Sequence, residues 1–271
     1  MRSPFLVYLA FFVFVSILGS RPAFAKAPEE NRLGLGFGVA SPNVGSFMNI
    51  ATSFTPQNPA GAMYIDGYAA SVQIARNAGL NDTGFEGGLA NDEFGAAIGF
   101  YGPGCDACVS HLAGSVAASI IKKKVHVGLR YAKVDTMPTY STGALFNASD
   151  RHRFGLTVAY TSPIAPKTNT LAYTGGYAFV SKSQSIAVEL SKRDDEAAAP
   201  ESNAEIRASV GYQKRVESLQ VSVNYMRTLN STAPIAPEGF WIGGGFNGET
   251  WNLAVYTGYT TQFLAVFSGY F

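Results

Sequence analysis

From Gly67 onward the chain repeats with period two. Leu219-Gln220-Val221-Ser222-Val223-Asn224-Tyr225 alternates strictly, and Val125 to Ala132 alternates apolar residues with small or polar ones. Ile206, Ala208, Val210 and Tyr212 alternate with Arg207, Ser209, Gly211 and Gln213, and Trp251, Leu253, Val255 and Thr257 with Asn252, Ala254, Tyr256 and Gly258. Successive side chains of a strand point to opposite faces, so each segment has one oily face and one small or polar face. Twelve such segments are found, near 66–77, 92–102, 111–121, 124–134, 151–162, 169–180, 184–193, 205–215, 218–229, 238–247, 249–259 and 261–271. Their length, about 10 residues, is what a tilted strand needs to cross a bilayer.

The connectors fall into two kinds. Lys122-Lys123-Lys124, Glu217-Ser218 and Asn247-Gly248 are tight, whereas Asp135 to Asp150 and Asp194 to Asn203 read as long polar loops. Short turns at one rim and long loops at the other are the pattern of an outer-membrane barrel. If the Lys122 and Glu217 turns share a rim, an even number of strands must separate them. The alternation supplies five, so one element between 125 and 215 is misread, near Met137 to Asn147 or Ser181 to Ser185. The expectation is an all-β, antiparallel transmembrane β-barrel of about 12 strands, range 10–14. It occupies residues 64–271.

Composition narrows this reading. Charged residues make up 14% of the 271, where a soluble domain carries about 25%. Glycine is abundant, at 29. Past the N-terminus no apolar run is long enough for a spanning helix, and closed barrels are the other structure that satisfies every backbone group in lipid. A soluble sandwich would set Lys, Glu and Thr on its second face, but here that face is mainly Gly, Ala and Ser. Tyr68, Tyr101, Tyr131, Tyr160, Tyr212, Tyr225, Trp241, Trp251 and Tyr259 gather near strand ends, as interfacial girdles do. A narrow lumen lined by Gly, Ala and Tyr is expected. Lys+Arg of 20 against Asp+Glu of 19 gives no basic excess, so nucleic acid is not an expected partner.

Residues 1–25 have the form of a cleaved signal peptide: Arg2, an apolar run from Phe5 to Leu18, then Ala23-Phe24-Ala25. Cleavage removes Arg2 and Arg21 and leaves 18 basic against 19 acidic side chains. At the other end, Phe263, Ala265, Phe267, Gly269 and Phe271 share one face of the last strand. This is similar to the terminal strand of bacterial outer-membrane proteins, where a final Phe on an alternating strand is read by the barrel-assembly machinery. Phe263, Phe267 and Phe271 are therefore the candidate assembly signal, and the bacterial outer membrane, with its lipid as partner, is the expected location.

Residues 26–63 lack clean alternation. Within them stands Asn58-Pro59-Ala60-Gly61, where Asn-Pro starts a turn and Ala-Gly permits close backbone approach. Placed just before the first strand, it resembles the N-terminal hatch motif of the FadL/TodX family of outer-membrane hydrophobic-compound transporters. The resemblance implies that residues 26–63 fold into the lumen as a hatch and that the ligand is a small hydrophobic compound such as a fatty acid. The residues themselves leave open an ordinary periplasmic lead-in.

Other candidate chemistry is sparse. Cys105-Asp106-Ala107-Cys108 follows Gly102-Pro103-Gly104, and in an exported chain it reads as a small disulfide. A c-type haem would need His where Val109 stands, and zinc would find only His111 nearby, so no cofactor or metal is expected. Ser110 and His111 are adjacent and point to opposite faces of a strand, and there is no Gly-x-Ser-x-Gly elbow, so the chain does not read as an enzyme. The lumen phase carries His126, Arg130, Arg153, Glu189 and Arg207, either as salt-bridged filling or as a carboxylate- or phosphate-binding cluster. Passive uptake of small hydrophobic compounds is the preferred function. Its alternatives are a closed structural barrel that binds surface partners, a general diffusion porin and, last, a barrel hydrolase.

Overall fold

The computed structural model describes residues 58–64, 67–77, 80–103, 111–134, 137–162, 169–181, 183–195, 205–230, 239–249, 251–258 and 263–270. Among the described residues, fourteen antiparallel strands form a closed up-and-down barrel. They are β1 (Gly67–Asn77), β2 (Leu80–Ala90), β3 (Phe94–Pro103), β4 (His111–Ile121), β5 (Val125–Val134), β6 (Met137–Asn147) and β7 (His152–Thr161), followed by β8 (Thr170–Val180), β9 (Gln184–Asp195), β10 (Glu205–Val216), β11 (Leu219–Thr228), β12 (Gly239–Asn247), β13 (Trp251–Gly258) and β14 (Phe263–Tyr270). Every strand pairs with its sequence neighbours, and β1 pairs with β14 from Ala69↔Tyr270 to Arg76↔Phe263, so no edge is left open.

The strand number lies within the expected range, and the two added strands are β2 and β6. β6 replaces most of the loop expected between Asp135 and Asp150 and makes the number of strands between the Lys122 and Glu217 turns even. Its alternation is disguised. Pro138 opens it, Thr142 and Ala144 stand among its outward positions, and its one leucine, Leu145, points inward and is fully buried. In β2 the inward positions are Gly84, Glu86 and Gly88, and Gly87 interrupts the outward face between Phe85 and Leu89. Both strands therefore read as turn-rich sequence.

The two rims follow from chain length. β1 starts and β14 ends at the rim where the intervening sequences are brief: 91–93, 122–124, 148–151, 181–183, 217–218 and 248–250. The strand ends at the other rim are separated in sequence by 104–110, 162–169, 196–204, 229–238 and 259–262, with 78–79 and 135–136 as short exceptions. The first rim is the periplasmic one. Its turns are built locally. The Asn91 carboxamide oxygen accepts from the amides of Glu93 and Phe94 at 2.9 and 2.8 Å, and Lys123 and Glu217 take left-handed φ values of 61° and 56°.

Apolar side chains face outward. Ile98, Leu129, Leu156, Leu190 and Val221 are all more than half exposed, as a lipid-facing wall requires. The tyrosines expected to line the lumen are here too. Tyr68, Tyr131, Tyr140, Tyr160, Tyr173 and Tyr212 occupy outward positions, because a phenol at the interface keeps its hydroxyl in water while its ring stays in hydrocarbon. Inward positions are small or polar, including Ala69, Ala97, Ala113, Ser115, Ser185 and Gln213. The expected signal peptide (residues 1–25), residues 26–57, Cys105, Cys108, Ser110, Tyr259 and Phe271 lie outside the described residues.

Two expectations follow. Leu129 is 62% exposed near the middle of β5, so Leu129→Arg should cost about 2–4 kcal/mol of barrel stability, measured by refolding into lipid vesicles against urea. At the periplasmic rim, Lys122 Nζ lies 2.7 Å from Asp92 Oδ2. The hydrogen bond from Lys122 and its charge hold the Asp92 carboxyl below its ordinary value, and the same contact holds the Lys122 ammonium above its own. The pair's contribution is lost as pH falls through the lowered Asp92 value, and again as pH rises through the raised Lys122 value. Lys122→Met should raise the Asp92 midpoint in an NMR titration and leave the thermal midpoint unchanged, since both groups are solvent-exposed.

Candidate functional site

Ahead of β1, Pro59–Tyr64 forms a single 3-10 turn inside the barrel, packed against the inner faces of β2 to β6. The four residues singled out in the sequence each have a local reason to be there. Asn58 caps the turn: its Oδ1 accepts from the Ala60 amide at 3.2 Å, and its carbonyl accepts from the Gly61 amide at 2.9 Å. Pro59 opens the turn at a position where a missing N–H leaves nothing unsatisfied. Ala60 and Ala62 are fully buried.

The wall is shaped to receive this turn. Gly67, Ala90, Gly95, Ala117, Gly128 and Gly143 are successive cross-strand partners, so they form one inward row across β1 to β6. A Cβ added at Gly95 would stand 2.7 Å from the Ala62 carbonyl oxygen, and one at Gly128 would stand 2.6 Å from the Ala60 nitrogen. One at Gly143 would run into the Asn58 carboxamide. Close approach therefore depends on the glycines of the wall, whereas the sequence had directed attention to Ala60-Gly61. Asn58 fastens the seat by donating from Nδ2 to the carbonyls of Ala144 and Leu156, at 3.0 and 3.4 Å. On the other side Ala60 packs with Leu145, Ala178, Val180 and Ala187, and Tyr64 lies against this group.

Tyr64 ties the turn to the periplasmic rim. Its hydroxyl donates to Asn147 Oδ1 at 2.8 Å, and Asn147 Nδ2 donates to the Lys123 carbonyl at 2.9 Å. The Arg153 guanidinium stands 4.7 Å above the Tyr64 ring, and the His126 ring meets its edge at 6.0 Å. His126 Nε2 is also 3.4 Å from Asn147 Nδ2.

The five inward ionisable residues thus separate into three groups. His126 and Arg153 surround Tyr64. Arg130 stands two inward rows further from the periplasm than His126, one above the Gly128 seat row, between Ser115 and Ser141 at matched register. Glu189 and Arg207 lie on β9 and β10 as diagonal neighbours, since Glu189 pairs with Ser209 and Arg207 with Ser191. A sixth, Glu86, is buried on β2 and was hidden with that strand. Below Glu189 and Arg207, the far wall carries a chain of side-chain contacts. Ser185 Oγ donates to Gln213 Oε1 at 3.4 Å, and Gln213 Nε2 donates to Gln220 Oε1 at 3.3 Å. At the level of the turn the β1–β6 side of the lumen is therefore lined by glycine and alanine, whereas the β9–β11 side is amide-rich.

Among the described residues no three His, Cys, Asp or Glu side chains come together as a metal site. Of the terminal aromatic residues, Phe267 faces outward and stacks on Trp251 at 6.3 Å, while Phe263 begins β14.

The comparisons bear on the fold. No family model matches the chain, and no curated protein matches it. Among solved structures it is similar to the CymD monoaromatic hydrocarbon channel, at 10% identity and TM-score 0.51 over 91% of this chain and 98% of that one. It is also similar to the KdgM porin, at 8% identity and TM-score 0.47 over 75% of this chain and 99% of that one. For the NanC porin the values are 8% and 0.44 over 76% and 99%. The chain has the fold of an outer-membrane β-barrel.

The seat itself is open to test. In a chain carrying Ala60→Cys as reporter, Asn58→Ala removes two hydrogen bonds to the wall, each worth about 1 kcal/mol. Labelling of the introduced thiol by a maleimide should rise several-fold, and Gly128→Val should raise it further by filling the seat.

Proposed function

We propose that this protein is a passive outer-membrane channel for small hydrophobic compounds, in which Asn58 to Tyr64 act as a hatch. The observation that carries the reading is the Gly95–Gly128–Gly143 seat. A wall that gives up three side chains to one short turn is fitted to that turn. The likeness of Asn58-Pro59-Ala60-Gly61 to the hatch motif of hydrophobic-compound transporters supports the same reading. The neighbour CymD is a monoaromatic hydrocarbon channel, and its barrel has a similar extent. In this reading a ligand enters between the extracellular loops, rests against the small apolar wall of β1 to β6, and leaves toward the periplasm when the hatch shifts. The final aromatic strand, with Phe263, Phe267 and Phe271, serves insertion by the assembly machinery, and the outward wall is held by membrane lipid. A second reading has its own support: the buried Ser185–Gln213–Gln220 contacts and the seated turn suit a permanently closed barrel that presents its loops to a partner.

Deleting Asn58 to Ala62 separates the two. Flux of toluene-sized solutes into proteoliposomes should increase several-fold in the deletion variant, with the heat-modifiable barrel still formed. Unchanged flux from a correctly assembled variant would overturn the hatch and favour the closed barrel.

A further inference from the structure

Above the hatch seat, the inner wall of β1 to β6 changes from glycine and alanine to groups able to hold a ligand's polar end. The next inward row, two residues up each strand and so about 7 Å further from the periplasm, runs Ala69, Gly88, Ala97, Ser115, Arg130, Ser141. The row above it runs Ser71, Glu86, Gly99, Ala113, Ala132, Thr139. Ser115 and Arg130 are direct cross-strand partners, which places their β-carbons about 5 Å apart. Ser115 and Ser71 are each 4% exposed, and their hydroxyls make no hydrogen bond. Arg130 Nε is buried and makes none either. Buried polar groups are almost always satisfied, so two adjacent unmet groups, Ser115 Oγ and Arg130 Nε, mark a place where something else supplies the partner.

The sign of the local charge narrows what that is. Arg130 lies within the field of Glu86, so the arginine is not an uncompensated cation waiting for an anion. A ligand carboxylate bonded to Arg130 would also face the Glu86 carboxylate in a setting of low dielectric. A hydroxyl has no such conflict, since it accepts from Arg130 Nε or Ser115 and donates its own proton to an oxygen nearby. The flanking Gly99, Ala113 and Ala132 offer a shallow apolar wall against which a ring or short chain can lie.

We infer that Ser115 and Arg130, with Glu86 as counter-charge, form a head-group site just above the hatch, and that it selects uncharged hydroxyl-bearing compounds, alkylphenols and short alcohols, over carboxylates. This deepens the channel reading and rests on it, because the site's floor is the hatch.

Three probes of one body test it: 4-propylphenol, 4-propylbenzoate and propylbenzene, each titrated into the detergent-solubilised full chain and corrected for protein-free micelles. The phenol should bind about tenfold more tightly than either of the others, because propylbenzene has no hydroxyl to bond and the benzoate carries a charge that Glu86 opposes. Ser115→Ala and Arg130→Met should each weaken the phenol about 5- to 20-fold, on the order of one charge-assisted or neutral hydrogen bond, and leave propylbenzene unchanged. Glu86→Gln should narrow the gap between phenol and benzoate. Ser115→Ala is a small change at a non-ionic position, so it decides the matter if the Arg130 variant assembles poorly. Equal binding of benzoate and phenol, or a Ser115→Ala barrel that binds the phenol normally, overturns the site. Propylbenzene flux into proteoliposomes is read in parallel: flux that persists while the preference fails removes only the head-group site, and absent flux of all three removes the channel reading as well.

Discussion

Hydrocarbon offers a backbone amide no partner, and this one constraint organises the molecule. Each unmet N–H or C=O inside a bilayer costs several kcal/mol, so a sheet in lipid has to close on itself. Here closure is the β1–β14 ladder from Ala69↔Tyr270 to Arg76↔Phe263. Once the ladder is closed, the period-two alternation has only two places to send side chains. Leu129 and Ile98 go to lipid; Ser115 and Ala97 go to the lumen. Most of the low charge fraction of the chain is thereby explained, because neither lipid nor a narrow interior accepts many charges without partners.

What occupies the lumen then shapes the wall from within. The seated turn contacts β2 to β6, and it is along those strands that the inward row contains Gly95, Ala117, Gly128 and Gly143. The far wall, which meets the turn less closely, keeps longer side chains: Gln213, Gln220, Glu189 and Arg207. The abundance of glycine is in part a record of this asymmetry. A general pore would not need one side of its lumen stripped to backbone at the level of a single short turn.

How far this could be read in advance depended on which face carried the signal. Strands with large outward residues and small inward ones, such as β11 and β5, announce themselves. β6 does not, because the hatch draws its leucine inward and its outward face includes Thr142. β2 does not, because glycine stands on both of its faces and its inward charge, Glu86, looks like a loop residue. The motif Asn58 to Gly61 was visible as a turn start, but its seat was not. Gly95, Gly128 and Gly143 are separated in sequence by whole strands and become neighbours only through register, which a single sequence does not contain. The five inward ionisable residues share a phase, yet phase carries neither height nor position around the barrel; height separates Tyr64's partners from Arg130, and position around the barrel separates them from the Glu189–Arg207 pair.

The ladder and the hatch together constrain any route across the membrane. Neighbouring strands are hydrogen-bonded all the way round, so a solute leaving sideways would have to break a ladder whose amides have no alternative partner in lipid. An axial route breaks far less. The turn is held by two hydrogen bonds from Asn58, one from Tyr64 and a cation–π contact with Arg153. Each is worth about 1 kcal/mol, and the lumen can supply water to replace them. These polar contacts come to a few kcal/mol, to which the burial of Pro59, Ala60 and Ala62 adds, and the total stays well below the cost of opening the ladder. On the proposed channel reading, a ligand resting on the wall above the seat need only favour the displaced turn by a similar amount. On the same reading, this division of strength, a hydrogen-bonded wall beside a turn held by few contacts, places the step that decides passage at the periplasmic end of the lumen.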